Sequence, residues 1–353
     1  MPDLQFLDIE GSPYEAGRAL GQFGAAAMHR YADRSPAWTE VVTRHRGSPM
    51  AREMAVRVQA RFPRVWEELE GLAAGLRLPL EDVFLWNCRG DLWAMAPDGC
   101  TTVQQAGAVR RITHNEDGDP LFAGHCAVAS VAVDGGASFA SFVYPGSLPG
   151  HTFAVTERGL AMTVNNLRCR NVRTGVPRMV LTRALLETAS LDGALALLRE
   201  TERAGGFHLT LAHRDAPRLL SVEFSSEACS VVEIEGCALH ANHALHGAMQ
   251  DLPQVVTASS LRRQQRGDAL VSSVGADAID PMRILGDDHD AEYPILRTDP
   301  DDSDGENTMA TADIRVGRSH IDWQVYERPG RLPRFHMIDG HASQEPDRHL
   351  ATS

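Results

Sequence analysis

The sequence predicts an α+β protein: two β-sheets with helices outside them, behind a helical N-terminal segment. Three observations carry this reading. The first 95 residues are mostly apolar at helical spacing. At Pro97 the texture changes to short β-like runs. Further on, strand-like runs flank a central helical pair on both sides.

The elements justify themselves in order. "LQFLDIEG" alternates as a short strand. "PYEAGRALGQFGAAAMHRYAD" is a helix from Pro13 to about Asp33. Pro13 suits its first turn, and its small residues allow close packing. Residues 50–76 are helical with a break at Pro63, and 79–95 are apolar at helical spacing. After Cys100 come "TTVQQ", "RRITHNED", "ASFVYP" and "HTFAVTERGLAMTVNNL" as strands. Helices follow at about 177–189 and 191–203, then strands to about residue 243, then a helical patch at 255–267. "RTDPDDSDGENT" is an acidic loop, expected to be solvated, before a last strand pair, "MATADIRVGR" and "HIDWQVYERPG". The polar tail from about Gly340 is expected to be disordered.

Composition bounds the function. A chain of 353 residues allows one large domain or two ordinary ones, and 43% hydrophobic with 23% charged residues is a globular composition. Forty-seven acids against 34 bases give a net charge of −13, which argues against a nucleic-acid partner. No window approaches 18 apolar residues, so no membrane span is expected. The N-terminus lacks a basic region and an apolar run, so a cytoplasmic location is expected. Six scattered cysteines form no CxxC pair; neither a zinc ribbon nor a disulfide scaffold is expected. Nothing calls for a cofactor or a metal. His240, His243 and His246 recur every three residues, a spacing that suits three metal ligands poorly.

Within "MAPDGCTTVQQ", Cys100 has three readings: a buried small residue after a turn at Pro97 and Asp98, a nucleophile activated by one of fifteen histidines, or a nucleophile activated by its own α-amine. The last requires the Gly99–Cys100 bond to be cut. A free thiol titrates near ~8.5 and needs a base; a free α-amine, at roughly 7.7 to 8, can serve. The thiol could make the cut itself through a thioester. Gly99 offers no Cβ to block the attack and tolerates strained torsions.

"GCTT", followed 15 residues later by "HNED", resembles the peptidase C45 family of N-terminal-nucleophile hydrolases, which includes isopenicillin-N acyltransferases and carcinine or β-alanyl-amine hydrolases. "GSPYEAGRALGQ", "YPGSLPGHTFAVTERGLAMTVNNLR", "GVPRMVLTRALLETASLDGALALL", "HANHAL" and "TMATADI" resemble further family segments in the same order. The resemblance implies a four-layer αββα sandwich. It implies that Gly99–Cys100 is the autocleavage bond, giving an α chain of residues 1–99 that stays bound to a β chain of residues 100–353. It assigns Cys100 as nucleophile, Asp117 as a carboxylate near the new amine, and Asn242 as an oxyanion-hole donor. Thr102 matches a hydroxyl that assists the cut, and Asn166 a polar group of the site by a looser match to penicillin-V-acylase-type enzymes. The family often has an aromatic where Glu116 stands here, a departure that looks more like the amine-hydrolase branch.

Three further residues are candidates for substrate binding. Asn115 would share a strand face with Asp117. Tyr144 opens a Pro- and Gly-rich stretch to His151, the expected wall of an acyl pocket. Arg168 would meet a substrate carboxylate or cap a strand end. On the residues alone, "NN" at 165–166 also fits a hairpin turn, and Asp117 beside Gly118 and Asp119 a turn acid. The expected function is a self-processing amidase acting on a small N-acyl or aminoacyl amide through a Cys100 acyl-enzyme. Acyl transfer of the isopenicillin-N type, or a non-processed binding relative, are the alternatives.

Overall fold

The computed structural model describes residues 4–96, 98–274, 279–299, 301–302 and 304–343, and for residues 98 and 274 the main chain only. Helices α1 (Pro13–Arg34), α2 (Pro36–Trp38), α3 (Pro49–Arg61), α4 (Pro63–Leu76), α5 (Leu80–Trp86) and α6 (Arg89–Leu92) follow strand β1 (Gln5–Gly11). A π-helical turn, Thr39–Thr43, joins α2 to the segment before α3. Ser12 and Glu15 cap α1 reciprocally, with Pro13 in the first turn as expected. Helix α3 ends before Pro63, which starts α4, because proline cannot supply the amide hydrogen that α3 would need there.

One sheet runs β1–β4–β5–β6–β7–β8–β9–β10, built from β4 (Ala127–Val133), β5 (Phe139–Val143), β6 (Phe153–Thr156), β7 (Leu160–Asn166), β8 (Phe207–His213), β9 (Leu219–Phe224) and β10 (Cys229–Glu233). The other runs β11–β2–β3–β12–β13–β14–β15, from β2 (Asp98–Gln105), β3 (Arg110–Gly118), β11 (Cys237–His240), β12 (Asn307–Val316), β13 (Ile321–Tyr326), β14 (Phe335–Ile338) and β15 (His341–Ala342). Only the β1–β4 pair is parallel among these ladders.

Helix α1 lies on β1 and β4, and α8 (Leu191–Glu200) lies on β8, with α7 (Arg178–Leu185) between α4 and α8. Helices α9 (Ala258–Val274) and α10 (Pro281–Leu285) cover β11, β2 and β3. The sheets meet through β2 and β7. The layers are therefore helix, sheet, sheet, helix, as the resemblance implied. Between the sheets the core has two textures. Phe142, Phe153 and Trp323 pack ring to ring at one end. Thr102, His114, Asn165 and His208 form a hydrogen-bonded polar strip at the other.

Several expectations are corrected. Asn165 and Asn166 end strand β7 rather than forming a turn, and Asp117 lies in β3 paired with β2. Pro97 is outside the described residues, and Asp98 and Gly99 already belong to β2, so the bond before Cys100 lies in a paired strand rather than a turn. The helical patch runs from 258 to 274, not 255 to 267. Gly340 precedes the short strand β15, which hydrogen-bonds to β14, so order extends past the point expected; residues 344–353 of that tail lie outside the described residues.

Small residues do bring α1 and α4 together. A Cβ on Gly71 would stand 1.9 Å from the Tyr14 carbonyl oxygen, and one on Gly21 2.4 Å from that of Leu72. Backbone cannot yield as a flexible side chain can, so Gly71→Ala must force the helices apart. It should cost about 1–3 kcal/mol in a denaturant melt. A wild-type midpoint in that variant would show that the helices do not meet so closely.

Candidate active site

Strands β2 and β3 pair Gly99 with Asp117, Cys100 with Glu116, Thr101 with Asn115 and Thr102 with His114. Side chains alternate across a strand, so each pair shares one face. The Cys100–Glu116 and Thr102–His114 pairs look toward the other sheet, since Thr102 Oγ1 donates to Asn165 Oδ1 at 2.7 Å. The Gly99–Asp117 and Thr101–Asn115 pairs look toward α9 and α10. Asn115 Nδ2, for example, donates to the Leu285 carbonyl at 2.9 Å.

The main chain of Cys100 is held unusually. Partner strand β11 stops at the His240–Thr102 pair. Two residues further along β2, at Cys100, side chains replace it. Cys100 N donates to Asn242 Oδ1 at 3.0 Å, and Arg263 Nη1 donates to the Cys100 carbonyl at 2.7 Å. Arg263 Nη2 also donates to Asn242 Oδ1, at 2.7 Å, locking the amide orientation. Asn242 Nδ2 donates to the Asn166 carbonyl at 3.3 Å, and its backbone N to Ser260 Oγ. Arg263 is fully buried; burial and the nearby Arg297 hold its guanidinium below the ordinary range.

On the inner face, the Cys100 thiol donates to Glu116 Oε2 at 3.6 Å, a sulfur hydrogen bond. The same oxygen lies 3.0 Å from His114 Nε2, and His114 Nδ1 lies 2.8 Å from Thr102 Oγ1. Burial pushes His114 down to about 3, and the Glu116 carboxylate in contact with Nε2 is the group that would favour a second ring proton. Tyr144 lies on this face too: its hydroxyl sits 2.3 Å from where a Cβ on Gly118 would be. Among the described residues one group could hold a metal ion, Cys100 with His114 and Glu116, whose ligand atoms lie within 4.8 Å of one another. The hydrogen bonds above account for that closeness.

The other face carries charge. Arg168 Nη2 and Arg297 Nη1 both donate to Glu306, at 2.9 and 2.6 Å, and Arg297 also pairs with Asp302. Burial opposes the Arg297 charge, but Glu306, Asp117 and Asp302 outweigh it and hold the guanidinium above its ordinary value. A Cβ on Gly99 would stand 2.1 Å from Glu306 Oε2. Gly99 is not among the residues with positive φ, so its glycine makes room for an ion pair rather than for strained torsions. The loop expected to be solvated thus folds two of its acids onto buried arginines. Asp117 is completely buried. Thr308 Oγ1 donates to its Oδ1 at 2.7 Å, and its Oδ2 has no hydrogen-bond partner among the described residues. Burial raises its carboxyl to about 6, against the pull of Arg297, Arg263 and Thr308. A cleft of about 390 Å³, lined in part by Cys126, Arg297, Thr308 and Met309, opens beside it.

The expected residues therefore divide. Cys100, Thr102, Asn242 and Asn166 converge on one chain of hydrogen bonds, with Asn166 Oδ1 also accepting from the buried Arg178 at 2.6 Å. Asp117 faces the opposite side of the strand, against Gly99. Asn115 shares its face as expected, but its amide is spent on the Leu285 and Ile295 carbonyls and on Thr311. Arg168 is paired with Glu306 and donates to the Ala94 and Ala96 carbonyls, so it clamps the segment leading to Gly99. The three spaced histidines separate: His240 meets Glu223, His243 meets Ser260 and His246 meets Ser221. Glu116, His114, Arg263, Arg297 and Glu306 were missed. Only the first two had a signal, their two-residue spacing within "HNED", which puts both on the thiol's face.

Fold and site define a two-sheet αββα protein with a buried thiol inside a Gly–Cys strand bond. The family model described as acyl-coenzyme A:6-aminopenicillanic acid acyl-transferase matches residues 103–327, and the chain belongs to that family. A beta-alanyl-dopamine/carcinine hydrolase of Drosophila melanogaster is 28% identical over 221 residues; the match covers 55% of this chain and 57% of that relative's length. Among solved structures, penicillin V acylase from Agrobacterium tumefaciens is similar over 67% of this chain and 77% of its own, at 12% identity and a TM-score of 0.33. No helix among the described residues is long and apolar enough to cross a membrane.

Three outcomes test this geometry. Glu306→Ala would leave the buried Arg168 with only the Ala94 and Ala96 carbonyls among the described residues, while Arg297 keeps Asp302, and should cost about 3–5 kcal/mol in a denaturant melt. Removing Asp192 from its exposed pair with Arg218 should cost less than about 1 kcal/mol. For Asp117, the folded carboxyl keeps its proton up to about 6 while the unfolded one releases it near 3.8. The folded state therefore binds more protons between these values, and stability falls as pH rises through that window. In a Cys100→Ala background, Asp117→Asn should remove this fall and gain up to about 3 kcal/mol relative to its parent above pH 6. A pH-independent difference between the two would show that the carboxylate is already compensated.

Proposed function

We propose that the protein is a self-processing amidase in which Cys100, freed by cleavage of the Gly99–Cys100 bond, is the nucleophile. The observation that carries this is the setting of the Cys100 nitrogen: Asn242 Oδ1 holds it where a strand would otherwise pair. Cutting the bond would turn that nitrogen into an amine with its acceptor already in place. The amine then takes the thiol proton of Cys100 and passes it to the leaving amine of the substrate. Asn242 Nδ2, spent on a long 3.3 Å bond to the Asn166 carbonyl, is the oxyanion donor, and Asp117 balances charge behind the strand.

Residues 1–99 would remain attached as the α chain. Strand β1 pairs with β4 across seven residues, and the buried Arg183–Glu68 pair, at 2.8 Å, ties α4 to α7. The substrate proposed is a small aminoacyl amine amide, on the strength of the relative named a beta-alanyl-dopamine/carcinine hydrolase. Water resolving the acyl-enzyme gives hydrolysis. Acyl transfer to an amine is the second reading, favoured by the description of the matching family. The cleft beside Thr308 and the buried stretch from Tyr144 to His151 are the proposed walls of the substrate site.

An intact mass spectrum of purified protein tests the reading. Wild type should give residues 1–99 and 100–353 as two masses, and Cys100→Ala a single one. Cleavage at that bond in Cys100→Ala, or an uncut wild type that hydrolyses β-alanyl amines, would sink it. On the cut fraction, Asn242→Ala should lower kcat by ~10²–10³, measured as released amine.

A further inference from the structure

Before the cut the α-amine does not exist. The Cys100 nitrogen is an amide, and its hydrogen is spent on Asn242. The thiol that must cut the chain therefore needs another base, since it titrates near ~8.5 by itself. Resting on the reading that Cys100 cuts its own chain, we infer that Glu116 is the general base of that first cut, and that His114 and Thr102 position and back it.

The hydrogen count supports this. Asn165 Oδ1 can only accept, so the Thr102 hydroxyl, 2.7 Å away, donates to it. Thr102 Oγ1 is then left to accept from His114, whose Nδ1 at 2.8 Å carries the ring proton. His208 fits the same scheme, with Nδ1 donating to Asn165 Oδ1 at 3.0 Å. One further proton must lie in the 3.0 Å contact between His114 Nε2 and Glu116 Oε2, because neither atom alone supplies it otherwise. The thiol donates to that same Oε2. Every partner is buried.

The step balances. The S–H bond breaks and its proton bonds to Glu116 Oε2, while the proton shared by the pair settles on His114 Nε2, whose other nitrogen is anchored on Thr102. The thiolate attacks the Gly99 carbonyl carbon. The Gly99–Cys100 C–N bond breaks, one proton returns to the departing nitrogen, and a thioester forms. Water hydrolyses it to the Gly99 carboxylate and the free Cys100 thiol. Nothing is oxidised or reduced. Two other titratable groups near this pair stay silent around neutrality. Burial and the Glu116 charge hold the Cys126 thiol high, and burial with His240 holds His208 low.

The test follows cleavage of the full chain after pulse labelling in cell-free translation, across pH, for wild type and Glu116→Gln. Glutamine keeps the size and hydrogen-bonding capacity but cannot take the proton. Wild type should cut at a rate that stays level at neutral pH below the thiol's own titration. Glu116→Gln should cut ~10²–10⁴-fold more slowly, its rate climbing about tenfold per pH unit toward ~8.5. Thr102→Val should slow the cut less, without changing the shape of the wild-type profile. Equal rates in wild type and Glu116→Gln would overturn the inference and leave self-processing standing. A wild-type chain that never cuts would overturn both. If a thermal melt shows Glu116→Gln unfolded, the wild-type profile decides: a level rate supports Glu116, and a rate climbing to ~8.5 overturns it.

Discussion

Everything at the site depends on one place where a β-ladder is left unfinished. In an antiparallel sheet, a residue's N–H and C=O point together to one neighbour. For Cys100 that neighbour should be β11, which stops short at His240. A buried amide cannot be left unpaired without cost, so Asn242 and Arg263 take over the two bonds. The exchange bears on the proposed cut because Asn242 offers an amide oxygen that can accept equally from a peptide N–H or from an amine. Asn242 and Arg263 are themselves pinned, to each other and to the start of α9, so the replacement is as ordered as a strand.

The strand also separates two electrostatic environments. One face of β2 and β3 holds a hydrogen-bonded series: a thiol, a carboxyl, an imidazole and a hydroxyl in sequence. The other holds fixed charge: two arginines sharing Glu306, with Asp117 beneath them. Mixing the two would be costly, since a fixed cation near the thiol would tie up Glu116 in an ion pair. Gly99 is the seam between them. With no side chain, it lets the Glu306 carboxylate approach the bond from the charged side while Cys100 reaches into the other.

The polar strip between the sheets trades stability for definition. Burying Gln104, His114, Asn165, His208 and Ser221 gains little over apolar packing, because each bond replaces one to water. It does fix the register of β2 against β7, since Thr102 finds Asn165 in one alignment only. The aromatic cluster of Phe142, Phe153 and Trp323 supplies the apolar burial at the other end of the same interface.

By itself the sequence determined the periodic parts. Pro13, Pro63 and the small residues of α1 and α4 set helix boundaries and spacing through local sterics, and short β-like runs marked most strands. The motif around Cys100 marked the bond, and the two-residue spacing of His114 and Glu116 was there to be read. Tertiary structure alone decided what those residues meet. Asn242 and Arg263 come from distant segments, and no local pattern announces that β11 will end two pairs short of Cys100. Arg297, Glu306 and Arg168 are joined only by burial: in the sequence they are ordinary charges in an acidic loop and a strand end. The physical reason is range. Propensity and periodicity act over a few residues, whereas the partners of Thr102, Arg168 and Cys100 lie 63, 138 and 163 positions away and meet them only when the chain folds.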